Sequence, residues 1–154
     1  MTSISYEDVF SYFLGNITDY QIAELDAGNA DEVMKEYLQK TLADPKIYAL
    51  FSAFSCEEEG INFEMDYKVD ETIDKYFVIN ILSKAMVCEW VRPQVRSRLN
   101  LAQYFGSKEL TFFSQASHLS ELRNLLEDTE VEIDRLIKER GYIDNTYLKD
   151  KNEL

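Results

Sequence analysis

The stretch "ETIDKYFVINILSKAMVCEWVRPQV", Glu71 to Val95, constrains the fold more than any other. If it is helical, Phe77, Val78, Ile79, Ile81, Leu82, Ala85, Met86, Cys88 and Val91 nearly surround its axis. A helix with one apolar stripe can lie on a surface, whereas one that is apolar all round has to be enclosed by other elements. The segment therefore predicts a central helix, capped at its start by Asp70, with the rest of the chain packed about it. Pro93 has no N–H to donate and disfavours helical geometry at Arg92, which predicts a kink or an end at that point.

The remaining elements follow from spacing and caps. Only two Pro and five Gly occur in 154 residues, too little punctuation for the many turns of an all-β fold. Ser5 with Asp8 three residues on resembles a capping box, and Tyr6, Phe10, Phe13 and Ile17 recur at helical spacing, so residues 6–17 read as a helix. After the connector "ITDYQIAELDAGNA", Asp31 is placed to cap a second helix with Met34, Tyr37, Leu38 and Leu42 on one face. Pro45 after Asp44 kinks or restarts it, and Ile47, Leu50, Phe51 and Phe54 carry the stripe on to Ser55. Ile61, Phe63, Met65, Tyr67 and Val69 then alternate with polar residues, the pattern of a half-buried extended segment over 61–69. The sequence offers it no clear second strand, so it either pairs with another subunit or lies across the helices.

Asn100 to Ser117 reads as a loop with exposed aromatics. Leu119, Leu122, Leu126, Thr129, Ile133 and Leu136 follow 3 and 4 spacing, which predicts a long helix over 118–140 with a narrow apolar seam, closed by Gly141. The expected fold is mainly α: a small helical bundle with a long C-terminal helix and one extended or β segment at about 61–69. Residues 1–141 form a single helical domain in this reading, and 142–154 a C-terminal tail that orders in an assembly.

Charge and chemistry exclude several functions. The 29 Asp and Glu against 16 Lys and Arg, a net charge of −13, argue against a nucleic-acid binder, which needs clustered cations for phosphates. Cys56 and Cys88 have no CxxC spacing and no His-rich surroundings, so neither a disulfide framework nor a zinc site is expected. The single histidine, His118, sits at the expected start of the last helix and is read as a capping-region or surface residue rather than a general base. Glu57, Glu58 and Glu59 point in different directions as consecutive residues, which favours a solvated loop over a cation site. There is no phosphate cradle and no catalytic triad pattern, so no enzyme, metal or cofactor is expected. "MTSISYEDVF" lacks a basic and apolar leader pattern, and no apolar run is long enough for a membrane span.

One window runs against the acidic trend. From Trp90 to Lys108 there is no carboxylate, while Arg92, Arg96, Arg98 and Lys108 all fall there. Cations at a helix end gain ~0.3 to 1 kcal/mol each from the dipole, but three arginines exceed that need. Arginine is enriched at interfaces because its planar guanidinium pairs with carboxylates, and a neighbouring copy of an acidic chain offers many. The window is thus a candidate assembly surface.

Three segments in order, "SYEDVFSYFLGNITDYQIAEL", "VCEWVRPQVRSRLNL" and "FFSQASHLSELRNLLEDTEVEIDRLI", resemble the head-to-tail connector, or adaptor, proteins of tailed phages of Gram-positive hosts. The likeness spans roughly residues 5–143. It implies a mostly helical structural protein of the virion neck, made in the bacterial host cytoplasm, with no cofactor and no reaction. Such a subunit would form a homo-oligomeric ring beneath the portal protein, meet a stopper or tail-completion protein on its other face, and let genomic DNA pass without specific binding. The resemblance also implies site residues: Arg92, Arg96, Arg98, Tyr104, Phe105, Phe112 and Phe113 at the subunit interface, and Tyr142, Ile143 and Tyr147 as the portal contact. Two other readings compete with it, a tail-completion or stopper protein of the same neck and an acidic regulatory protein directed at a host partner.

Overall fold

The computed structural model describes residues 2–17, 27–65, 70–104 and 109–143, with the backbone alone for 27–30, 97–104, 109–118 and 141–143. Along them run β1 (Thr2–Ile4), α1 (Tyr6–Asn16), α2 (Ala27–Leu42), α3 (Pro45–Tyr48), β2 (Phe51–Cys56), β3 (Ile61–Met65), α4 (Glu71–Tyr104) and α5 (Glu109–Ile143). The protein is mainly helical, with a long C-terminal helix and a small three-stranded sheet.

Helix α4 is the central element that its all-round apolarity predicts. Val78, Ile81, Leu82, Met86 and Val91 are completely buried, and α1, α2 and α5 all pack on it. Of the kink or end expected at Pro93, the end does not occur: the 34 residues continue through it to Tyr104. Two features account for this. Trp90, Val91 and Val95 are buried on either side of the proline, and burying such a side chain gains about 1.5–3 kcal/mol, enough together to outweigh the ~3 kcal/mol penalty of an internal proline. Pro93 itself is exposed, so the Glu89 carbonyl that loses its helical partner lies on the solvent side, and the Gln94 side-chain amide donates to the neighbouring Trp90 carbonyl at 3.1 Å.

Helix α5 packs antiparallel on α4, as the cross-pairs Arg92–Glu130, Lys84–Glu132 and Arg140–Asp74 require. The expected seam holds: Leu122, Thr129 and Ile133 are buried, and Leu119, Leu126 and Leu136 pack partly buried against the core. The helix is longer than expected at both ends, beginning at Glu109 and running past Gly141 to Ile143. His118 is therefore within the helix and not at its start, and of the expected Asn100–Ser117 loop, 100–104 and 109–117 are helical while 105–108 lie outside the described residues.

The local caps behave as their residue types dictate. Ser5 accepts from the Asp8 N–H at 3.1 Å at the head of α1. Asp44 accepts from the Lys46 N–H with Pro45 in the first turn of α3, so the proline restarts a helix. Helix α2 starts earlier than the expected Asp31 cap, at Ala27, and buries Met34, Leu38 and Thr41 along one face.

The sheet corrects two expectations. Ile61–Met65 is extended as its period predicts, with Ile61, Phe63 and Met65 buried, but it has partners within the chain on both sides. The order is β1-β3-β2, antiparallel throughout, with Ile4 opposite Ile61 and Phe54 opposite Phe63. Phe51 and Phe54 stand three apart, a spacing that fits a helical stripe, but Phe51–Cys56 forms strand β2. A bulge between Phe51 and Ala53 resolves this: two steps on β2 oppose one on β3, so Phe51 meets Met65 and Phe54 meets Phe63, both partners being buried. Tyr67 and Val69 lie outside the described residues.

Candidate functional site

The segment around Arg92 faces a cleft where the end of α2, α3, the middle of α4 and α5 converge. Its volume is about 130 Å³. Asp44 and Lys46 come from the α2–α3 corner, where Pro45 turns the chain, and Cys88, Glu89 and Arg92 come from one face of α4. Glu130 and Asp134 stand one turn apart on α5 beside the buried Ile133.

Ion pairs close the cleft around its rim. Arg92 Nη1 donates to Glu89 Oε1 at 2.6 Å, one turn back on α4, and its Nη2 donates to Glu130 Oε1 at 3.0 Å on α5. Burial works to lower the Arg92 pKa, but the hydrogen bond to Glu130 and the charge of Glu89 outweigh it, so the pKa is raised. Lys46 Nζ donates to Asp134 Oδ1 at 3.0 Å, and that carboxylate raises the lysine pKa. Beneath them the Cys88 thiol is pushed up to about 12 by burial, with Arg92 opposing and Glu130 and Glu89 adding to the shift. Cys88 is a buried neutral thiol and not a nucleophile. Thr41 forms part of the lining and is 1% exposed, and its Oγ1 has no hydrogen-bond partner among the described residues.

The residues of the candidate assembly surface are thus separated by their environments. Arg92 is engaged within the chain, bridging α4 to α5. Arg96, one turn further along α4, is exposed and forms no ion pair among the described residues. Arg98 and Tyr104 are on the backbone of α4, and Phe112, Phe113, Tyr142 and Ile143 on that of α5; their side chains lie outside the described residues, as do Phe105 and Tyr147 altogether. Among the described residues no helix is long and apolar enough to cross a membrane, and no three His, Cys, Asp or Glu side chains are grouped to hold a metal ion.

No family model, curated protein or solved structure matches this chain. Its chemistry therefore rests on its own geometry.

Two charged groupings were not anticipated. The first is the cleft's own set of Lys46, Glu130 and Asp134, which are far apart in sequence from Arg92 and come together only through tertiary packing. The second is the buried Arg140–Asp74 pair, set against the Phe77 ring with the Arg140 guanidinium carbon 4.8 Å from its centroid. Here a sequence signal did exist. Arg140 stands four residues beyond Leu136, at the next position of the α5 seam, and Asp74 stands four before Val78 on the buried stripe of α4. Opposite charges at core positions of two helices are the mark of such a pair.

Proposed function

We propose that this chain is a head-to-tail connector subunit of a tailed phage, a structural protein of the virion neck that assembles as a ring between the portal and the neck or tail proteins. One observation carries the reading. The described parts of the three segments that resemble connector proteins fall on α1, the second half of α4, and α5, and both α1 and α5 pack on α4. The helices that carry the resemblance are thus packed on one central helix rather than scattered.

Charge supports it further. A net charge of −13 suits a channel wall along which DNA slides without adhering. The exposed Arg96 offers a cation to the carboxylates of a neighbouring copy, and the role requires no catalytic step.

Electron microscopy of particles from a phage lacking this gene tests the proposal. DNA-filled heads beside free, complete tails are expected. Normal tailed particles would overturn it and leave a non-virion binding protein as the better account.

A further inference from the structure

In the sheet order β1-β3-β2, strand β2 has β3 on one side and no strand on the other among the described residues. The hydrogen bond from the Glu57 N–H to the Gly60 carbonyl fixes which main-chain groups this outer edge presents. Hydrogen-bonded and non-bonded pairs alternate along an antiparallel ladder, so Ser55 turns its N–H and C=O inward to Asn62. Phe54 and Cys56 turn theirs outward, where nothing among the described residues hydrogen-bonds to them. Sheets commonly protect such an edge with lysine or proline. Strand β2, FSAFSC, carries neither, holds no charge at all, and has none of its six residues buried. The half-buried Phe51 and Phe54 rings, 5.1 Å apart, bring apolar surface up to the edge.

A second copy of β2 fits this edge. With the strands antiparallel about a two-fold axis beside Ser55, Phe54 of each copy stands opposite Cys56 of the other, and their outward main-chain groups bond to each other. Phe54 and Cys56 share a face with Phe63 and Ile61, so the new pairs are apolar, while the two Ser55 hydroxyls meet on the other face. This register leaves the bulge between Phe51 and Ala53 outside the contact. Charge decides the direction. Each copy carries −13, and the exposed Glu57, Glu58 and Glu59 follow the strand. Antiparallel pairing puts the two acidic turns at opposite ends, about 20 Å apart at ~3.3 Å per residue and well beyond the ~8 Å screening length. Parallel pairing would set them side by side at about 4.8 Å.

We infer that two copies of this chain pair in solution through their β2 edges, antiparallel, joining their sheets into one. A two-fold contact closes on itself, so it is separate from the head-to-tail contacts of a ring and does not rest on the connector reading. One strand pair buries far less than the ~1,200 Å² of a stable interface, so the dimer is weak and forms at high protein concentration.

The test is sedimentation velocity and amide hydrogen exchange of the full chain from micromolar to millimolar concentration, in reducing buffer so that Cys56 forms no cross-link. A monomer that passes into a dimer is expected. Exchange at the Phe54 and Cys56 N–H groups should slow as the dimer forms, while the Ser55 N–H, bonded within the sheet, is protected throughout. Cys56→Pro deletes an outward N–H from each copy and none that faces β3, and is expected to weaken dimerisation about tenfold or more. Cys56→Lys places a charge on the edge and is expected to weaken it with the melting temperature nearly unchanged; it decides the question if the proline variant does not fold. Four results would overturn the inference. A monomer at every concentration would leave the edge to a different polypeptide. Slow exchange at Phe54 and Cys56 in the dilute monomer would mean that another segment of this chain covers it. Growth beyond the dimer would mean that β2 meets β1 of the next copy. A dimer unchanged by Cys56→Lys, or one that leaves the Phe54 and Cys56 amides unaffected, would lie elsewhere on the surface.

Discussion

Arg140 and Asp74 stand 66 residues apart in the chain and form an ion pair in the core, with their side chains only 4% and 7% exposed. The pair ties the last turns of α5 to the first turn of α4, beside Phe77 and within 3.9 Å of the Met65 sulfur on β3. Taking two charges out of water costs several kcal/mol per ion, and their mutual attraction offsets this only while both are present. Arg140→Leu removes the buried cation that faces the Asp74 carboxylate and is expected to destabilise the fold by about 3–5 kcal/mol, with a similar loss for Asp74→Leu. The double variant, apolar at both positions, is expected to recover most of that loss. Urea unfolding of the four proteins checks it; additive losses in the double variant would show that the two residues act separately.

Gly60 closes the β2–β3 hairpin, with its carbonyl accepting from the Glu57 N–H at 2.8 Å. A Cβ at this position would run into the Ile4 carbonyl oxygen of β1, which is backbone and cannot swing aside. Gly60→Ala is therefore expected to cost about 1–3 kcal/mol through displacement of β1. Gly15 is the internal control, because nothing lies within 4 Å of a Cβ built there. Gly15→Ala, inside α1, is expected to be neutral or stabilising by up to about 1 kcal/mol. Thermal melts of the two variants compare them directly, and equal effects would contradict the close approach of β1.

The legible parts of this fold are those set by local periodicity. The all-round apolarity of α4, the seam of α5, the alternation of β3, the cap at Ser5 and the helix restart at Pro45 each depend on residues a few positions apart. What was not legible depends on distant partners. Phe51 and Phe54 fit a helical stripe as well as a strand, and only pairing with β3, through a bulge, decides between them. The cost of Pro93 is local, whereas the burial of Val91 and Val95 that outweighs it comes from tertiary packing. The same holds at the candidate site. Arg92 looks like a free interface cation in sequence because Glu130, its partner on α5, is 38 residues away.

The Cys88 thiol makes stability depend on pH in the alkaline range. Its pKa is near 9.0 when unperturbed and about 12 in the folded protein. Between those values the unfolded chain releases a proton that the folded chain keeps, so stability is full below 9.0 and declines as pH rises. The slope from this group is at most about 1.4 kcal/mol per pH unit. Tyr6 and Tyr37 are also raised, chiefly by burial, and act in the same direction above 10.0. Cys88→Ala is expected to flatten the decline between pH 9 and 11 relative to the parent, measured by urea unfolding at each pH. An unchanged slope would mean that the thiol is not the group that titrates.

Arg92 and Arg96, one helical turn apart, are expected to fail in different ways. Arg92 bridges α4 to α5 through Glu89 and Glu130 but is about one third exposed, so solvent screens the pairs. Arg92→Met is expected to cost about 0.5–1.5 kcal/mol of stability, and Arg92→Glu more, because it sets a third carboxylate against those two. High salt should shrink the difference between Arg92→Met and the parent. Arg96 is exposed without an ion pair among the described residues, so Arg96→Glu is expected to change stability by less than about 0.5 kcal/mol. If the basic window is the subunit interface, that same change abolishes ring assembly on purified portal, read by co-sedimentation and electron microscopy. A folded Arg96→Glu variant that still assembles would remove the window from the interface and shift attention to the aromatic positions Tyr104, Phe112 and Phe113. An Arg96→Glu variant that melts early would instead give Arg96 a structural role.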